Sequence, residues 1–138
     1  MSPVEFGRGV LTDERDALAR LADGLGEPFA AAVATLRAAP RVVCTGVGKS
    51  GHIARKMAGT LASTGTPSSF MHAAEAVHGD LGMIAPGDAV ILYTHSGETD
   101  EIVRLFPSIR DIGGTTLLIT GRPESSAGRA ADLVLDTG

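Results

Sequence analysis

The sequence predicts an α/β protein, a three-layer αβα sandwich built on a five-stranded parallel sheet. From Arg41 onward a short β-branched run, a turn rich in Gly, Ser and Thr, and a helical segment follow one another repeatedly. Eighteen glycines beside four Phe, one Tyr and no Trp are typical of folds with tight turns that bind ligands through loop amides. The 138 residues suffice for one sizeable core and are too few for two ordinary domains.

Residues 1–40 precede that repeat and are predicted to be helical. Apolar residues recur at helical spacing over Leu18–Leu36, and Asp13 lies in the expected first turn, where an acid suits the helix dipole. A break into two helices is predicted by Gly24, Gly26 and Pro28. We expect the second helix to end at Pro40, and the segment to pack on a domain formed by residues 41–138.

The repeat itself predicts alternating strands and helices. The expected strands are Arg41–Thr45, Ser68–Met71, Ala89–Thr94, Thr115–Thr120 and Leu133–Leu135. The expected crossover helices are Ser50–Ser63, Thr99–Ile112 and a short one near Ser126–Ala131. Strands this rich in Val, Ile and Leu are predicted to be buried on both faces, which gives a doubly wound, flavodoxin-like sheet.

Composition excludes several classes of function. With a net charge of −4 and a pI near 5.5, the chain has no overall positive electrostatic field that would attract nucleic acid or an anionic membrane. The apolar runs are well under the roughly 20 residues of a membrane span. Cys44 is the single cysteine, and Met1–Arg8 does not resemble a signal peptide. We therefore expect a cytoplasmic protein without nucleic-acid or membrane partners.

The loop after the first strand, Gly46–Gly51, is rich in glycine. It matches a G-x-G-x-x-G dinucleotide fingerprint, but no acid follows until Glu75, and Val43 stands where a Walker A loop needs Gly. These two differences argue against both nucleotide-binding motifs. The loop is then a glycine-rich turn whose amides, Ser50 hydroxyl and Lys49 ammonium can face one phosphate. The alternative is an ordinary strand-to-helix turn with a solvated lysine.

A second loop of this kind follows the third strand and reads Thr94-His95-Ser96-Gly97-Glu98-Thr99. Its hydroxyls and helix-start amides form a neutral cradle suited to a small phosphate dianion. Alternatively, Thr99 caps the helix, and Glu98 and Glu101 are ordinary first-turn acids. Capping and phosphate binding are compatible. Two such loops at the carboxyl ends of strands predict a phosphate site.

Four segments between Gly46 and Asp132 carry a resemblance to a known family. They are GVGKSGHIARKMAGTLASTGTPS, HAAEAVHGDLGM, THSGETDEI and ITGRPESSAGRAAD. Together they resemble the SIS (sugar isomerase) domain of bacterial D-arabinose-5-phosphate isomerases. The resemblance implies interconversion of D-ribulose 5-phosphate and D-arabinose 5-phosphate without a cofactor, for synthesis of the lipopolysaccharide sugar Kdo. It also implies a homotetramer, often with CBS modules, which this sequence lacks.

The resemblance assigns roles to individual residues. Lys49, Glu101 and His78 fall on catalytic or substrate positions, where Lys49 suits electrophilic help or ring opening and Glu101 suits proton transfer. The implied substrate-binding set is Ser50, Gly65, Thr66, His72, His78, Thr94, Ser96, Gly97, Glu98 and Thr99. His72 also falls on a position that can hold zinc, which we treat as incidental because a zinc site needs three or four ligands.

The chain departs from the family pattern in two places. His95 replaces the more usual asparagine and Thr94 the first serine of the second loop. The sequence stops at Gly138, before the further catalytic glutamate and the histidine of the family, so we expect a truncated form with weak or no activity. The alternative function is a non-catalytic phosphosugar sensor, although no helix-turn-helix segment precedes the domain. Pentose and hexose phosphates would suit the same cradle.

Overall fold

The computed structural model describes all 138 residues and contains seven helices, one 3₁₀ turn and five strands. The N-terminal helices are α1 (Pro3–Asp23) and α2 (Glu27–Ala38). The strands are β1 (Val42–Gly46), β2 (Ser68–His72), β3 (Ala89–Tyr93), β4 (Thr115–Thr120) and β5 (Leu133–Asp136). The remaining helices are α3 (Gly48–Ser63), α4 (Ala73–Ala76), α5 (Asp100–Val103), α6 (Leu105–Ile112) and α7 (Ser126–Ala130), and the 3₁₀ turn is Asp80–Met83.

The five strands form one parallel sheet in the order β2-β1-β3-β4-β5, which confirms the predicted doubly wound fold. From β1 the chain passes through α3 to β2 on one side, and later elements extend the sheet on the other side. Gly46 at the end of β1 is in register with His72 and with Tyr93. The strand order therefore reverses at the carboxyl ends of β1 and β3, where open α/β sheets bind ligands.

Alternate residues along each strand pack into two separate apolar layers. The layer on one face includes Met71, Leu92 and Phe106 and is covered by α4 to α7. The layer on the other face includes Cys44 and Ile91 and is covered by α2 and α3. Because β1 and β3 are buried on both faces, they read as continuous apolar runs in the sequence.

Residues 1–40 begin their helix earlier than predicted. α1 starts at Pro3, not near Asp13, because Ser2 forms a capping box. The Ser2 Oγ accepts the Glu5 N–H at 3.2 Å, and the Glu5 carboxylate accepts the Ser2 N–H at 2.6 Å. α2 buries Ala32 and contacts β5, whereas α1 buries no residue at all.

Two other helix ends differ from the prediction for reasons of proline chemistry. α2 ends at Ala38, not Pro40, because the residue before a proline disfavours helix, and Ala39 is extended. The single helix predicted over Thr99–Ile112 is wrong, since α5 and α6 are separate and meet at Arg104. Pro107 in the first turn of α6 cannot donate back to Val103, which ends the hydrogen-bond ladder there.

An ion pair fastens the start of β1 to the segment before β3. The buried Asp88 carboxylate accepts the Arg41 Nη2 at 2.6 Å and the Ala85 N–H at 2.8 Å. Burial alone would raise the pKa of Asp88, but the hydrogen bonds from Arg41 and Ala85 and the Arg41 charge hold that pKa below its usual value. None of the helices combines the length and apolar character that crossing a membrane requires.

Candidate active site

The β1–α3 loop brings the strand and the helix into close backbone contact. A Cβ on Gly46 would lie 2.8 Å from the Ser50 carbonyl carbon, and one on Gly51 would lie 2.9 Å from the Gly46 oxygen. Gly48 has a φ of +58°. These positions therefore require glycine, and the close approach aims the first turn of α3 out of the carboxyl edge of the sheet.

The start of α3 is open to a ligand. No side chain caps the helix, and its first backbone bond runs from the Gly51 N–H to the Val47 oxygen at 3.3 Å. Lys49 is exposed and forms no ion pair, and Ser50 is half-buried. Free amides, a cation and a hydroxyl thus face one region, which favours an anion.

Hydroxyl groups organise the β3–α5 loop from within. The buried Thr94 Oγ1 lies 2.9 Å from the Thr99 Oγ1 and accepts the Gly97 N–H at 3.2 Å. The exposed Ser96 Oγ accepts the Glu98 N–H at 3.2 Å, which leaves its own hydrogen free to donate. Thr99 stands at the N-cap position of α5, but its side chain accepts no helix amide, so the alternative of side-chain capping is wrong.

The same loop is fastened to the elements that follow β4. The Thr120 hydroxyl and the Gly121 N–H both donate to the His95 oxygen at 3.2 Å. The Ala127 N–H donates to the Gly97 oxygen at 3.0 Å. Gly97 has a φ of +67°, and a Cβ there would overlap the Ser125 side chain. The conformation of this loop is therefore set by the start of α7 as well as by its own sequence.

Glu98 faces the start of α7. Its carboxylate accepts the Ser126 N–H at 2.8 Å. Hydrogen bonds from Ser126 and the nearby charge of Arg129 hold the pKa of Glu98 below its usual value, so the group stays an anionic acceptor. The structure thus gives Glu98 a role in positioning the loop, and its carboxylate is already occupied.

A cleft of about 570 Å³ lies between the β3–α5 loop and the loop after β4. It is lined by His95, Ser96, Glu98 and residues 121–125. The His95 ring lies against Gly121, and a Cβ on Gly121 would overlap that ring. Arg122 is exposed and its guanidinium forms no ion pair, so it is a free cation in the cleft that Ser96 also lines.

His72 and His78 lie after β2 on the same edge of the sheet. His72 ends β2 and caps α4, and its Nδ1 accepts the Ala74 N–H at 3.2 Å. That bond occupies Nδ1 and leaves Nε2 as the ring nitrogen available for another partner. His78 follows α4 and is exposed. No group of three or more His, Cys, Asp or Glu side chains is close enough to hold a metal ion.

The SIS domain family profile matches residues 35–138, which is most of the chain. The chain belongs to the SIS domain family. The matched residues begin inside α2 and include both loops at the switch point.

Two curated relatives of this SIS domain carry the same name. The arabinose 5-phosphate isomerase KdsD of Escherichia coli (strain K12) is 50% identical over 132 residues, which is 95% of this chain and 40% of the relative. The arabinose 5-phosphate isomerase KdsD of Pseudomonas aeruginosa PAO1 is 51% identical over 124 residues, 89% of this chain and 38% of the relative. The chain therefore spans about 40% of the length of the curated relatives it matches.

Solved structures share the same SIS architecture. The protein c3406 of E. coli CFT073, in complex with arabinose 5-phosphate, superimposes with a TM-score of 0.82 at 40% identity, covering 99% of this chain and 75% of that one. The sugar isomerase domain of an RpiR transcription factor from Sphaerobacter thermophilus superimposes with a TM-score of 0.81 at 22% identity, covering 94% and 74%. The second comparison shows a common fold alone.

The SIS domain brings most of the predicted site residues to one edge. Lys49 in the first turn of α3 and Glu101 in the first turn of α5 follow adjacent strands and are both exposed. Gly65 and Thr66 are the exception. They follow the end of α3, about 24 Å along the helix from its start, and the next residue, Pro67, accepts the N–H of the first residue of β1. Within one chain these two residues lie at the opposite edge of the sheet.

Sequence reasoning placed no site residue in the loop after β4, although this loop lines the cleft beside the β3–α5 loop. The segment containing Gly121 and Arg122 supports the family resemblance, yet no predicted site residue comes from it. The position of this loop in the predicted fold could have indicated it, because it also follows the carboxyl end of a parallel strand. Its contact with His95 places it beside the β3–α5 loop.

Proposed function

We propose that this SIS domain binds D-arabinose 5-phosphate and belongs to an isomerase that interconverts it with D-ribulose 5-phosphate. The observation that carries the proposal is the pair of loops at the β1/β3 switch point. One loop offers the uncapped start of α3, and the other offers the free Ser96 hydroxyl beside the Thr94–Thr99 pair. The 50% identity to arabinose 5-phosphate isomerases supports this choice of sugar phosphate.

In the proposed complex the phosphate lies between the two loops. Ser96 donates its free hydrogen to one phosphate oxygen, while Thr94, Thr99 and the backbone of Gly97 hold the loop in shape. The α3 amides and Ser50 donate to the other side of the dianion. Charged acceptors strengthen each of these bonds to about twice the strength of a neutral one.

The proposed chemistry is a proton transfer between two neighbouring carbons. In the open-chain aldose, the Glu101 carboxylate removes the C2 proton, a C1–C2 double bond forms, and the C1 carbonyl oxygen takes up the displaced electron pair and a proton from solvent, which gives an enediol. Return of a proton to C1 and loss of the proton from the C2 hydroxyl give the ketose. Lys49 stabilises the oxyanion by its charge, and His72 and His78 contact the sugar hydroxyls.

The proposal also includes the setting of the reaction. We expect a cytoplasmic homo-oligomer, a tetramer, whose product class feeds lipopolysaccharide sugar synthesis. A non-catalytic phosphosugar sensor is the second candidate function. Hydrogen bonds between its own residues organise the β3–α5 loop, which is the proposed phosphate-binding part. The proposed catalytic residues Lys49 and Glu101 are exposed and unpaired. This contrast supports a domain that binds the sugar phosphate without converting it.

The test combines turnover with binding for the 138-residue chain. Formation of ribulose 5-phosphate from arabinose 5-phosphate is measured, and binding of arabinose 5-phosphate is followed by calorimetry. Glu101→Gln should abolish turnover and keep binding, whereas the matched change Asp100→Asn, one residue earlier in α5, should keep both. Binding without turnover in the unmodified chain would favour the sensor, or an isomerase whose catalysis also needs the region of the relatives that this chain does not span. Absence of binding at millimolar sugar phosphate would refute the proposed site.

A further inference from the structure

One guanidinium in the cleft between the β3–α5 loop and the loop after β4 has no partner within the chain. Residues 41–138 contain six arginines. Five of them contact a carboxylate, an aromatic ring or a backbone oxygen; they are Arg41, Arg55, Arg104, Arg110 and Arg129. The sixth, Arg122, is exposed and forms no ion pair. Its five N–H donors and permanent charge are therefore available to an anion from outside the chain.

The backbone of Arg122 is fixed although its side chain is free. The Arg122 N–H donates to the Thr120 Oγ1 at 3.1 Å, and that hydroxyl donates to the His95 oxygen at 3.2 Å. Because Pro123 follows, the Arg122 backbone is also restricted toward extended conformations. The side chain therefore starts from a point that is fixed relative to the β3–α5 loop.

The cleft that Arg122 lines suits a polar, charged occupant. None of its eight lining residues is hydrophobic, and two of them, Glu98 and Glu124, are acids. The Glu98 carboxylate is held as an anion by the Ser126 N–H. Arg122 pairs with neither acid, although Glu124 is only two residues away. An anion that enters this cleft meets carboxylate charge, and Arg122 is the lining residue whose positive charge offsets it at every pH.

We infer that the Arg122 guanidinium binds the phosphate of the substrate and selects phosphorylated sugars, an inference that rests on the proposed function. The strand order places the β3–α5 loop between the loops that follow β1 and β4. A phosphate on Ser96 thus has the start of α3 on one side and Arg122 on the other. The planar fork of a guanidinium matches two oxygens of one phosphate, which a single ammonium does not.

The charge balance of the bound sugar supports this role for Arg122. The reacting carbons C1 and C2 lie at the opposite end of the five-carbon sugar from the phosphate on C5. Lys49 is assigned to the oxyanion at the reacting end, so it does not also neutralise the phosphate. The donors at the phosphate end, the Ser96 hydroxyl and the α3 amides, carry partial charge only. Without Arg122, a dianion would be bound by these neutral groups alone, in a cleft that also contains the Glu98 carboxylate.

Calorimetry of the 138-residue chain tests the inference with arabinose 5-phosphate as the probe. Arg122→Ala should weaken binding by about 10- to 150-fold, the range for loss of hydrogen bonds between charged groups. Arg122→Lys should bind to within roughly tenfold of the natural chain, because it keeps the charge and loses the fork. Circular dichroism checks that both variants are folded.

Arg37→Ala is the matched control, because it removes the same charge from a different place. Arg37 lies in the last turn of α2, is exposed and forms no ion pair. It precedes β1 and is therefore at the opposite edge of the sheet from the two loops. Arg37→Ala should bind arabinose 5-phosphate normally.

Chemical rescue separates a contact with the ligand from a structural role. About 50 mM guanidinium chloride, far below the molar concentrations that unfold proteins, should restore the affinity of Arg122→Ala by about threefold or more. The same concentration of sodium chloride should not. A weakened variant that neither guanidinium nor Arg122→Lys improves would assign Arg122 a structural role and overturn the inference.

Inorganic phosphate is the second probe, and it shows which part of the sugar phosphate Arg122 contacts. It should displace arabinose 5-phosphate from the natural chain, and Arg122→Ala should weaken it by about the same factor as the sugar phosphate, 10- to 150-fold. An unchanged affinity for inorganic phosphate, beside a loss for arabinose 5-phosphate, would place Arg122 on the sugar and contradict the assignment.

The remaining outcomes distinguish this inference from the proposed function. If the natural chain binds arabinose 5-phosphate and Arg122→Ala binds it equally well, the inference is wrong and the proposed function stands. Equal weakening in Arg122→Ala and Arg37→Ala would also overturn the inference, because overall charge would then explain the effect. If the natural chain itself binds no arabinose 5-phosphate, the proposed function fails and the inference fails with it.

Discussion

Gly97→Ala tests whether the start of α7 sets the shape of the β3–α5 loop, the proposed phosphate-binding loop. Gly97 combines a φ of +67° with a direction in which a Cβ would overlap Ser125 and lie 3.3 Å from the Arg122 oxygen. An alanine there must therefore move the loop or displace α7. Gly87 is the matched control, because its φ is +87° but its nearest neighbour would be Pro40 at an ordinary 3.8 Å.

The structure predicts different losses of unfolding free energy for the two substitutions. Each alanine carries the left-handed backbone penalty of about 1–2 kcal/mol. Gly97→Ala also disturbs the Ser125 cap on the Gly128 N–H and the backbone bond from Ala127 to Gly97. A lost cap and a lost hydrogen bond each cost about 1 kcal/mol. We expect the free energy of unfolding to fall by about 3–4 kcal/mol for Gly97→Ala in total, against about 1–2 kcal/mol for Gly87→Ala.

Urea unfolding followed by circular dichroism measures the free energy of unfolding of both variants. Calorimetry measures their binding of arabinose 5-phosphate. Gly97→Ala should also weaken that binding by at least about a hundredfold, since the Ser96 hydroxyl moves with the loop. Gly87→Ala should bind the sugar phosphate normally. Equal losses of stability in the two variants would refute the argument that Ser125 and α7 define this loop.

Four further predictions concern single groups. Ser96→Ala should weaken binding of arabinose 5-phosphate by about 10- to 150-fold, the equivalent of about 1.5–3 kcal/mol for a bond to a charged acceptor, whereas Ser63→Ala at the end of α3 should bind normally in calorimetry. Because the folded pKa of Asp88 is lowered, the stability from its ion pair is present above the unfolded value of about 3.9 and is lost as the pH falls through the folded pKa. Acid titration of unfolding should therefore be steeper for the natural chain than for Asp88→Asn, and identical curves would contradict the pair's role. Burial raises the pKa of the Cys44 thiol to about 12, so a thiol reagent at about pH 8 should modify it only at the rate of unfolding, and rapid labelling of the folded chain would be inconsistent with that burial. Tyr93→Phe should leave the free energy of unfolding unchanged or raise it by about 1 kcal/mol, since the buried hydroxyl has no hydrogen-bond partner; a clear loss would reveal a partner for that hydroxyl.

The strands are predictable from the sequence because the sheet is covered on both sides. Two-sided burial makes β1 and β3 uninterrupted apolar runs, so their positions can be predicted to within about one residue. The short helix α4 and the 3₁₀ turn at Asp80–Met83 escape prediction, because neither is long enough to show a helical period. The start of α1 was missed although Ser2 and Glu5 stand at capping-box spacing.

The candidate site could be predicted from the sequence only where the topology brings residues of suitable side-chain type to the same edge of the sheet. Loops that follow parallel strands meet at one edge, which is why the loops after β1 and β3 are correctly brought together. Gly65 and Thr66 follow a helix, and a crossover helix returns the chain to the opposite edge. Their assignment came from motif position alone, and motif position does not say which edge of the sheet a residue reaches. Arg122 shows the converse, because it follows a strand and lines the same cleft as Ser96. Within one chain of this fold, whether a residue follows a strand or a helix thus indicates which edge of the sheet it reaches, and the motif that contains it does not.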